Sequence, residues 1–231
     1  MRAISSMATR HVLADLLAAS EAAGLPPVEM ESVGGVDAAS RVAAGEPFDL
    51  VFLADDALRR LADDGHVDAA SLTPLVLSQV AVAVPADDSV GSPPEGAAFA
   101  DAAGVRTALR DASRIGSSTG PSGTALARMI DEWGMTGELD GRLVQARPGI
   151  PVAKLLADGE VDLGFQQLSE LVGQPGIRIL GVLPPDCAID TVFSGAVATV
   201  CAGPASARRI LGFLASDATV GIRIAHSFAT P

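Results

Sequence analysis

Three units of the same kind follow one another in roughly the first eighty residues, each an apolar segment, a turn and a helical pattern. The predicted strands are residues 2–6, 28–33 and 48–54, and the predicted helices are residues 11–23, 38–44 and 55–63. In the first helix Val12, Leu13 and Leu16 recur at helical spacing, and Gly24 ends the pattern. This alternation predicts an α/β fold with a mostly parallel sheet and helices on both of its faces.

The second half of the chain repeats the pattern after a segment rich in Pro, Ser, Gly and Asp, residues 87–96, which we predict to be a surface loop. Two further apolar segments, residues 80–84 and 191–200, are predicted to be strands that cross between two lobes. The first lobe holds residues 1–82 and 193–231, and the second holds residues 83–192. With the crossing strands as hinges, we expect a small ligand to bind in a cleft between the lobes.

Composition excludes several classes of partner. The formal net charge of −12 argues against nucleic acid and against anionic membrane surfaces. The sequence contains no apolar run of about 18 residues, so we predict no membrane span. The histidines His11, His66 and His226 are far apart, and Cys187 and Cys201 form no metal-ligand motif, so we expect neither a metal nor another cofactor. We interpret both cysteines as small buried apolar residues, with a disulfide between them as the alternative. We expect a monomer.

Turns rich in Ser and Gly follow several of the predicted strands. Ligands of parallel sheets bind beyond the carboxyl ends of the strands, where residues 5–10 and 34–36 fall. A third such turn, residues 114–128, offers Ser118 and Ser122 beside the unpaired N–H groups of a helix's first turn, which suits an oxyanion. Helix capping is an equally good interpretation of that turn, which is neither a Walker A loop nor a dinucleotide fingerprint.

Three segments resemble the molybdate-binding proteins of ABC transporters, which have a two-lobed type II periplasmic-binding-protein fold. They are Ser-Ser-Met-Ala-Thr at 5–9, Ala-Gly-Glu-Pro-Phe-Asp-Leu-Val-Phe-Leu-Ala-Asp at 44–55 and Gly-Phe-Gln-Gln-Leu-Ser-Glu at 164–170. By position, the resemblance implies that Ser6 is the first of the family's two oxyanion-binding serines and that the second falls near Gly35 or Val36. It implies that Ser122 and Val152 donate backbone N–H groups, and that Gln166 occupies the place of a tyrosine that contacts the oxyanion. The alternative is a structural role, in which Gln166 and Gln167 satisfy loop backbone groups.

The departures from that family favour a different anion. The second serine-rich turn is Gly34-Gly35 here, the chain has no tyrosine, and Arg10 adds a cation beside the first turn. Because an arginine can pair bidentately with a carboxylate, these changes favour a carboxylate ligand over molybdate. The chain is also similar to aconitate isomerases, enzymes of this fold that move a double bond between trans- and cis-aconitate by a proton shift.

Two functions therefore stay open: a solute-binding protein for a small oxyanion or carboxylate, and an isomerase. A cytoplasmic ligand sensor is a third alternative. The resemblance implies an ABC-transporter permease as partner if the chain is exported, and a periplasmic location if a leader has been removed. If Met1 is the native start, we expect a cytoplasmic protein. The candidate ligand-binding residues are Ser5, Ser6, Thr9, Arg10, Gly35, Val36, Ser118, Ser122, Val152 and Gln166.

For catalysis the candidates are Arg10 and His11, since an imidazole carries protons near neutral pH. For both residues, placement on an exposed helix surface is the alternative interpretation. Arg147 is a candidate for a second carboxylate and also suits an ordinary surface position. Asp55 and Asp56 are interpreted as helix-capping residues rather than as an acid–base pair, because side chains at i and i+1 on a helix diverge.

Overall fold

The computed structural model describes residues 1–147 and 150–231, and the chain forms two compact units. Unit 1 comprises Met1–Leu77 and Thr191–Pro231, and unit 2 comprises Ser78–Asp190. The chain thus passes from unit 1 to unit 2 between residues 77 and 78, within a strand, and returns between residues 190 and 191, at the start of another strand. The boundaries predicted from the sequence are 82/83 and 192/193. Pro148 and Gly149, predicted to lead into a helix, lie outside the described residues.

The strands are β1 (Arg2–Ser6), β2 (Glu29–Val33), β3 (Leu50–Ala54), β4 (Thr73–Val90), β5 (Ile115–Ser117), β6 (Leu143–Gln145), β7 (Leu163–Gln167), β8 (Pro175–Val182) and β9 (Asp190–Val197). The α-helices are α1 (Arg10–Ala22), α2 (Gly35–Ala43), α3 (Asp55–Asp63), α4 (Ala102–Asp111), α5 (Pro121–Glu132), α6 (Val152–Ala157), α7 (Leu168–Leu171), α8 (Pro204–Leu214) and α9 (Val220–Ala225).

The sheet of unit 1 has the order β2–β1–β3–β9, with β1, β2 and β3 parallel and β9 antiparallel to β3. Successive residues of β1 and β3 point to opposite faces, as the pleat requires. Ala3 and Phe52 pack with the buried faces of α1 and α8, whereas Ile4 and Val51 pack with those of α2 and α3. The helices therefore cover both faces of this sheet.

The sheet of unit 2 has the order β4–β7–β5–β6, and β8 also pairs with β4. Strands β5, β6 and β7 are parallel, and β4 is antiparallel to β7. Helices α4 and α5 bury their apolar residues with Val82 and Phe165, and α6 and α7 bury theirs with Ala81 and Ala83. The predicted α/β architecture, with mostly parallel sheets covered on both faces, is confirmed in each unit.

One local prediction is wrong. Residues 87–96 are predicted to be a surface loop from their composition, but β4 continues to Val90. The strand extends because β8 offers it a partner, with Val90 paired to Pro175 after a shift of register.

Two other predictions concern the cysteines and the membrane. Cys187 and Cys201 are free thiols that are half-buried rather than fully buried. Burial raises the pKa of the Cys187 thiol to about 11, with the neighbouring Asp186 carboxylate acting in the same direction. Among the helices of the described ranges, none has the length and apolarity needed to span a membrane.

Candidate anion-binding site

The turn after β1 is built around Ser6. Its Oγ accepts a hydrogen bond from the backbone N–H of Ala8 at 3.3 Å and so caps the short 3₁₀ turn Met7–Thr9. The hydroxyl of Thr9 donates to the Ser6 carbonyl at 3.3 Å, and Ser6 and Thr9 are only 8% and 2% exposed. Within the described ranges the Ser6 hydroxyl hydrogen has no acceptor. Ser6 is therefore a buried hydroxyl whose donor is still available.

Ser5, the other serine of this turn, is engaged within the sheet. It pairs in register with Ser32 of β2, and the two Oγ atoms lie 2.7 Å apart. Ser5 is fully buried. Its side chain lies on the opposite face of β1 from that of Ser6, because side chains alternate along a strand. In this structure the Ser5 hydroxyl therefore joins β1 to β2.

Helix α2 begins directly beside Ser6. A Cβ atom placed on Gly35 would lie 3.7 Å from the Ser6 Oγ, which puts the first residue of α2 next to that hydroxyl. The N-cap residue is Gly34, which has no side chain to cap the helix, and the first helical bond runs from Ala38 N–H to the Gly34 carbonyl. In the described part of the chain no acceptor meets the N–H groups of Gly35 or Val36. Hydroxyl and backbone donors thus converge at the positive end of a helix dipole.

Arg10 and His11 open α1 immediately after this turn, and both are exposed. The Nε of Arg10 donates to Nε2 of His11 at 2.9 Å. The two Nη groups of Arg10 have no partner among the described residues, so the end of its guanidinium group is open to a carboxylate. The lone pair of His11 Nε2 is engaged in this arrangement, so this nitrogen is not free to remove a proton.

The Gly/Ser turn of unit 2 is closed by its own hydroxyls. The Oγ atoms of Ser118 and Ser122 are 2.8 Å apart, and Gly120 N–H donates to Ser118 Oγ at 3.3 Å. Ser122 is 4% exposed, whereas Ser118 is half-buried. The N-cap residue of α5 is Gly120, which provides no side-chain cap. The turn therefore combines an ordered hydroxyl pair with a helix N-terminus that has no side-chain cap.

Val152 and Gln166, both predicted to face the ligand, are bonded to each other. The Val152 N–H donates to the Gln166 Oε1 at 2.8 Å within the protein interior. The Gln166 amide nitrogen donates to the Glu170 carboxylate on α7. Loss of solvent around that carboxylate raises the pKa of Glu170, and the bond from Gln166 opposes the change. In this structure the first N–H of α6 is already satisfied.

Glu170 was not foreseen from the sequence. The available signal was its position four residues after Gln166, where a strand gives way to a helix.

The acidic pair at the start of α3 has a different role from the one predicted. The N-cap residue is Ala54, so Asp55 and Asp56 lie inside the first turn, and their interpretation as capping residues is wrong. Asp55 accepts a hydrogen bond from the buried Ser194 hydroxyl at 2.7 Å and pairs with Arg59 at 2.5 Å. Asp56 pairs with Arg60 one turn further along. In both ion pairs the acidic residue lies four positions before the arginine, which is the order that stabilises a helix.

Arg147 is exposed and borders a cavity of about 420 Å³ in unit 2. Charged residues of both signs line this cavity, including Lys154, Asp158 and Glu160. Lys154 is paired with Asp158 at 2.7 Å. Over the residues that the structure describes, no three His, Cys, Asp or Glu side chains gather closely enough to hold a metal ion.

Comparison with known proteins identifies the family of this chain. The family model described as bacterial extracellular solute-binding protein matches residues 1–228. An aconitate isomerase from Pseudomonas sp is 36% identical over 180 residues, which are 77% of this chain and 65% of that protein, so the match spans less than two thirds of the relative.

Two solved structures superimpose on this chain over nearly its whole length. The periplasmic molybdate-binding protein of Azotobacter vinelandii superimposes with a TM-score of 0.71 at 18% identity, covering 100% of this chain and 99% of that one. A domain assigned to a molybdenum ABC transporter of Clostridium difficile as its substrate-binding domain gives a TM-score of 0.81 at 14% identity, covering 100% and 98%. At these identities the likeness establishes the type II periplasmic-binding-protein fold. With nearly its whole length matched by the family model, the chain belongs to the bacterial extracellular solute-binding proteins.

Proposed function

We propose that this protein captures a small anion, an oxyanion or a carboxylate, as the solute-binding component of an ABC transporter. In unit 1 the donors are the Ser6 hydroxyl and the first N–H groups of α2. The function requires an exported chain and a membrane permease as partner, and it needs no cofactor.

The observation that carries the proposal is the contact between Ser6 and Gly35. It brings a buried hydroxyl with an unused hydrogen to a helix N-terminus whose N–H groups have no acceptor among the described residues. An anion satisfies all of these donors at once and interacts favourably with the helix dipole. The open Nη groups of Arg10 favour a carboxylate, which matches their spacing.

A single methyl group tests the site. In Gly35→Ala the added Cβ lies 3.7 Å from Ser6 Oγ, an ordinary contact that folding tolerates, but it occupies the space where the anion meets the donors. We expect affinity for the best-bound anion to fall at least about tenfold, the loss of one charge-assisted hydrogen bond. Titration calorimetry with molybdate, sulfate, succinate and trans-aconitate measures it.

Gly34→Ala is the matched control, because a Cβ on Gly34 meets no atom within 4 Å. Its affinity should stay within about twofold of the wild type, since no donor is covered. Ser6→Ala should lose affinity as Gly35→Ala does. Equal affinity in Gly34→Ala and Gly35→Ala, with Ser6→Ala unchanged, would contradict an anion site at this turn.

The second candidate is an aconitate isomerase, which the 36% identity to the Pseudomonas enzyme favours. The test is to incubate the protein with trans-aconitate and follow cis-aconitate by chromatography. Turnover that is lost in His11→Asn or Arg10→Gln would support the isomerase with these residues in the reaction. Binding of trans-aconitate without any turnover would exclude it and leave the solute-binding function.

A further inference from the structure

We propose that the ligand is an organic polycarboxylate rather than an inorganic oxyanion, and that Met7 and Val36 contact its hydrocarbon part. The inference rests on the anion site proposed above and adds the class of ligand and two specificity-determining residues. It comes from the apolar side chains around the donors rather than from the donors themselves.

A large exposed apolar side chain directly follows each member of the donor pair in the sequence. Met7, which follows Ser6, is 45% exposed, and Val36, which follows Gly35, is 85% exposed. Because Ser6 and Gly35 are in contact and consecutive Cα atoms are about 3.8 Å apart, both side chains start within one residue of the point where the anion would bind. Each donor residue is thus followed by an exposed apolar residue within reach of a ligand bound there.

That surface discriminates between ligand classes. A carbon skeleton placed against Met7 and Val36 removes apolar area from water, and this contributes to affinity. A tetrahedral oxyanion presents only oxygen atoms, so it gains no affinity from contact with these apolar side chains. The same contact would remove water that hydrates its oxygen atoms. An inorganic anion would be better served by polar residues at both positions.

The charge beside the turn extends the argument from one carboxylate to several. Arg10 follows Met7 by three residues, and its Nη groups have no partner in the described ranges. One carboxylate of such a ligand would meet Ser6 and the α2 N–H groups, and a second would meet Arg10. The carbon chain between them would cross Met7 and Val36, so the ligand would use all of these features. That description fits a short dicarboxylate or tricarboxylate.

Two polar substitutions of similar size test the inference. Val36→Thr and Met7→Gln replace exposed side chains, so neither should disturb folding. Val200→Thr is the matched control, because Val200 is also in unit 1 and is 59% exposed. Calorimetry on the full chain compares molybdate and sulfate with malonate, succinate and trans-aconitate, at several temperatures to obtain the heat-capacity change.

We expect the organic anions to bind more tightly than molybdate and sulfate. Each test variant should weaken organic anions about three- to tenfold, in proportion to the carbon surface covered, and leave the inorganic ions within about twofold. The heat-capacity change should be more negative for organic anions and should shrink in both variants, because it reports apolar burial. Val200→Thr should behave as the wild type.

Four results would overturn the inference. Tighter binding of molybdate or sulfate than of every organic anion rules out the ligand class. Equal losses for organic and inorganic anions in Val36→Thr and Met7→Gln would mean that these side chains act on the protein's own conformation. If Gly35→Ala abolishes binding while Val36→Thr and Met7→Gln change nothing, this inference fails and the proposed function stands. If no anion binds, both fail.

Discussion

Gly123 lies where the chain has no room for a side chain. A Cβ atom placed there would be 1.8 Å from the Ser118 carbonyl oxygen and 2.8 Å from the Ser118 carbonyl carbon. The glycine lets the first turn of α5 pack against the backbone of the turn that precedes it. At Gly123 the close neighbour is therefore the chain itself.

Gly123→Ala should therefore destabilise the protein. The methyl group must push backbone apart, which costs about 1–3 kcal/mol for an overpacked site. Urea unfolding measures the change, with Gly120→Ala as a control in the same turn, since its Cβ would meet only the Ser118 Oγ at 3.7 Å. Equal stability of the two variants would show that the turn relaxes without cost.

Strands β5 and β7 are joined at their starts by Asp162. Its carboxylate accepts the backbone N–H of Ser113 at 2.8 Å and of Arg114 at 2.9 Å. Burial disfavours the charged form, but the hydrogen bonds from Arg114 and Ser113 outweigh it, so the pKa of Asp162 lies below its ordinary value. A carboxyl group of this kind stabilises the fold at pH values above its unfolded-state pKa of about 4.

We expect Asp162→Asn to lower the free energy of unfolding by about 1 kcal/mol at pH 7, because the amide accepts these bonds less well than a carboxylate. The difference from the wild type should shrink as the pH falls below about 4 and through the lower folded-state pKa, where the wild-type carboxylate is also protonated. Urea unfolding between pH 7 and pH 3 follows it. Asp140→Asn is the control, because it changes a carboxylate at an exposed position and breaks no hydrogen bond among the described residues. A difference that stays constant with pH would contradict this role for Asp162.

Much of the architecture could be predicted at the level of elements. The strand–helix alternation, the parallel pairing and the turns holding Ser6 and Gly35 follow from local patterns of apolar and turn residues. The bond between Val152 and Gln166 could not be predicted, because residues 14 positions apart meet only through the packing of α6 on β7. The pairing of Ser5 with Ser32 depends on strand register, and the extension of β4 to Val90 depends on β8, and neither is a local property.

The formal charge of −12 sets the long-range field of the whole molecule. An anionic ligand approaches against this field and is held by local donors only at short range. Raising the ionic strength from about 0.01 M to about 0.15 M shortens the screening length from about 30 Å to about 8 Å, which weakens the repulsion. We expect the association rate of an organic anion to rise severalfold over this range.

Stopped-flow measurements with a salt that does not itself bind give this rate. In Arg10→Gln the rise should be larger, because the local attraction that salt also screens has been removed. An association rate that falls with salt in the wild type would mean that the field at the site is positive despite the net charge.

The order in which the two units are encoded has a consequence for biosynthesis. Unit 2 is one uninterrupted segment, but unit 1 receives β9 and α8 only from residues 191–231. Phe193, Ile210 and Leu211 from that segment belong to the same apolar core as α1 and β1. On the ribosome, unit 2 can therefore finish folding while β3 still lacks its β9 partner and α1 still lacks its contacts with α8 and α9. The nascent N-terminal portion must stay soluble in that incomplete form until the last residues emerge.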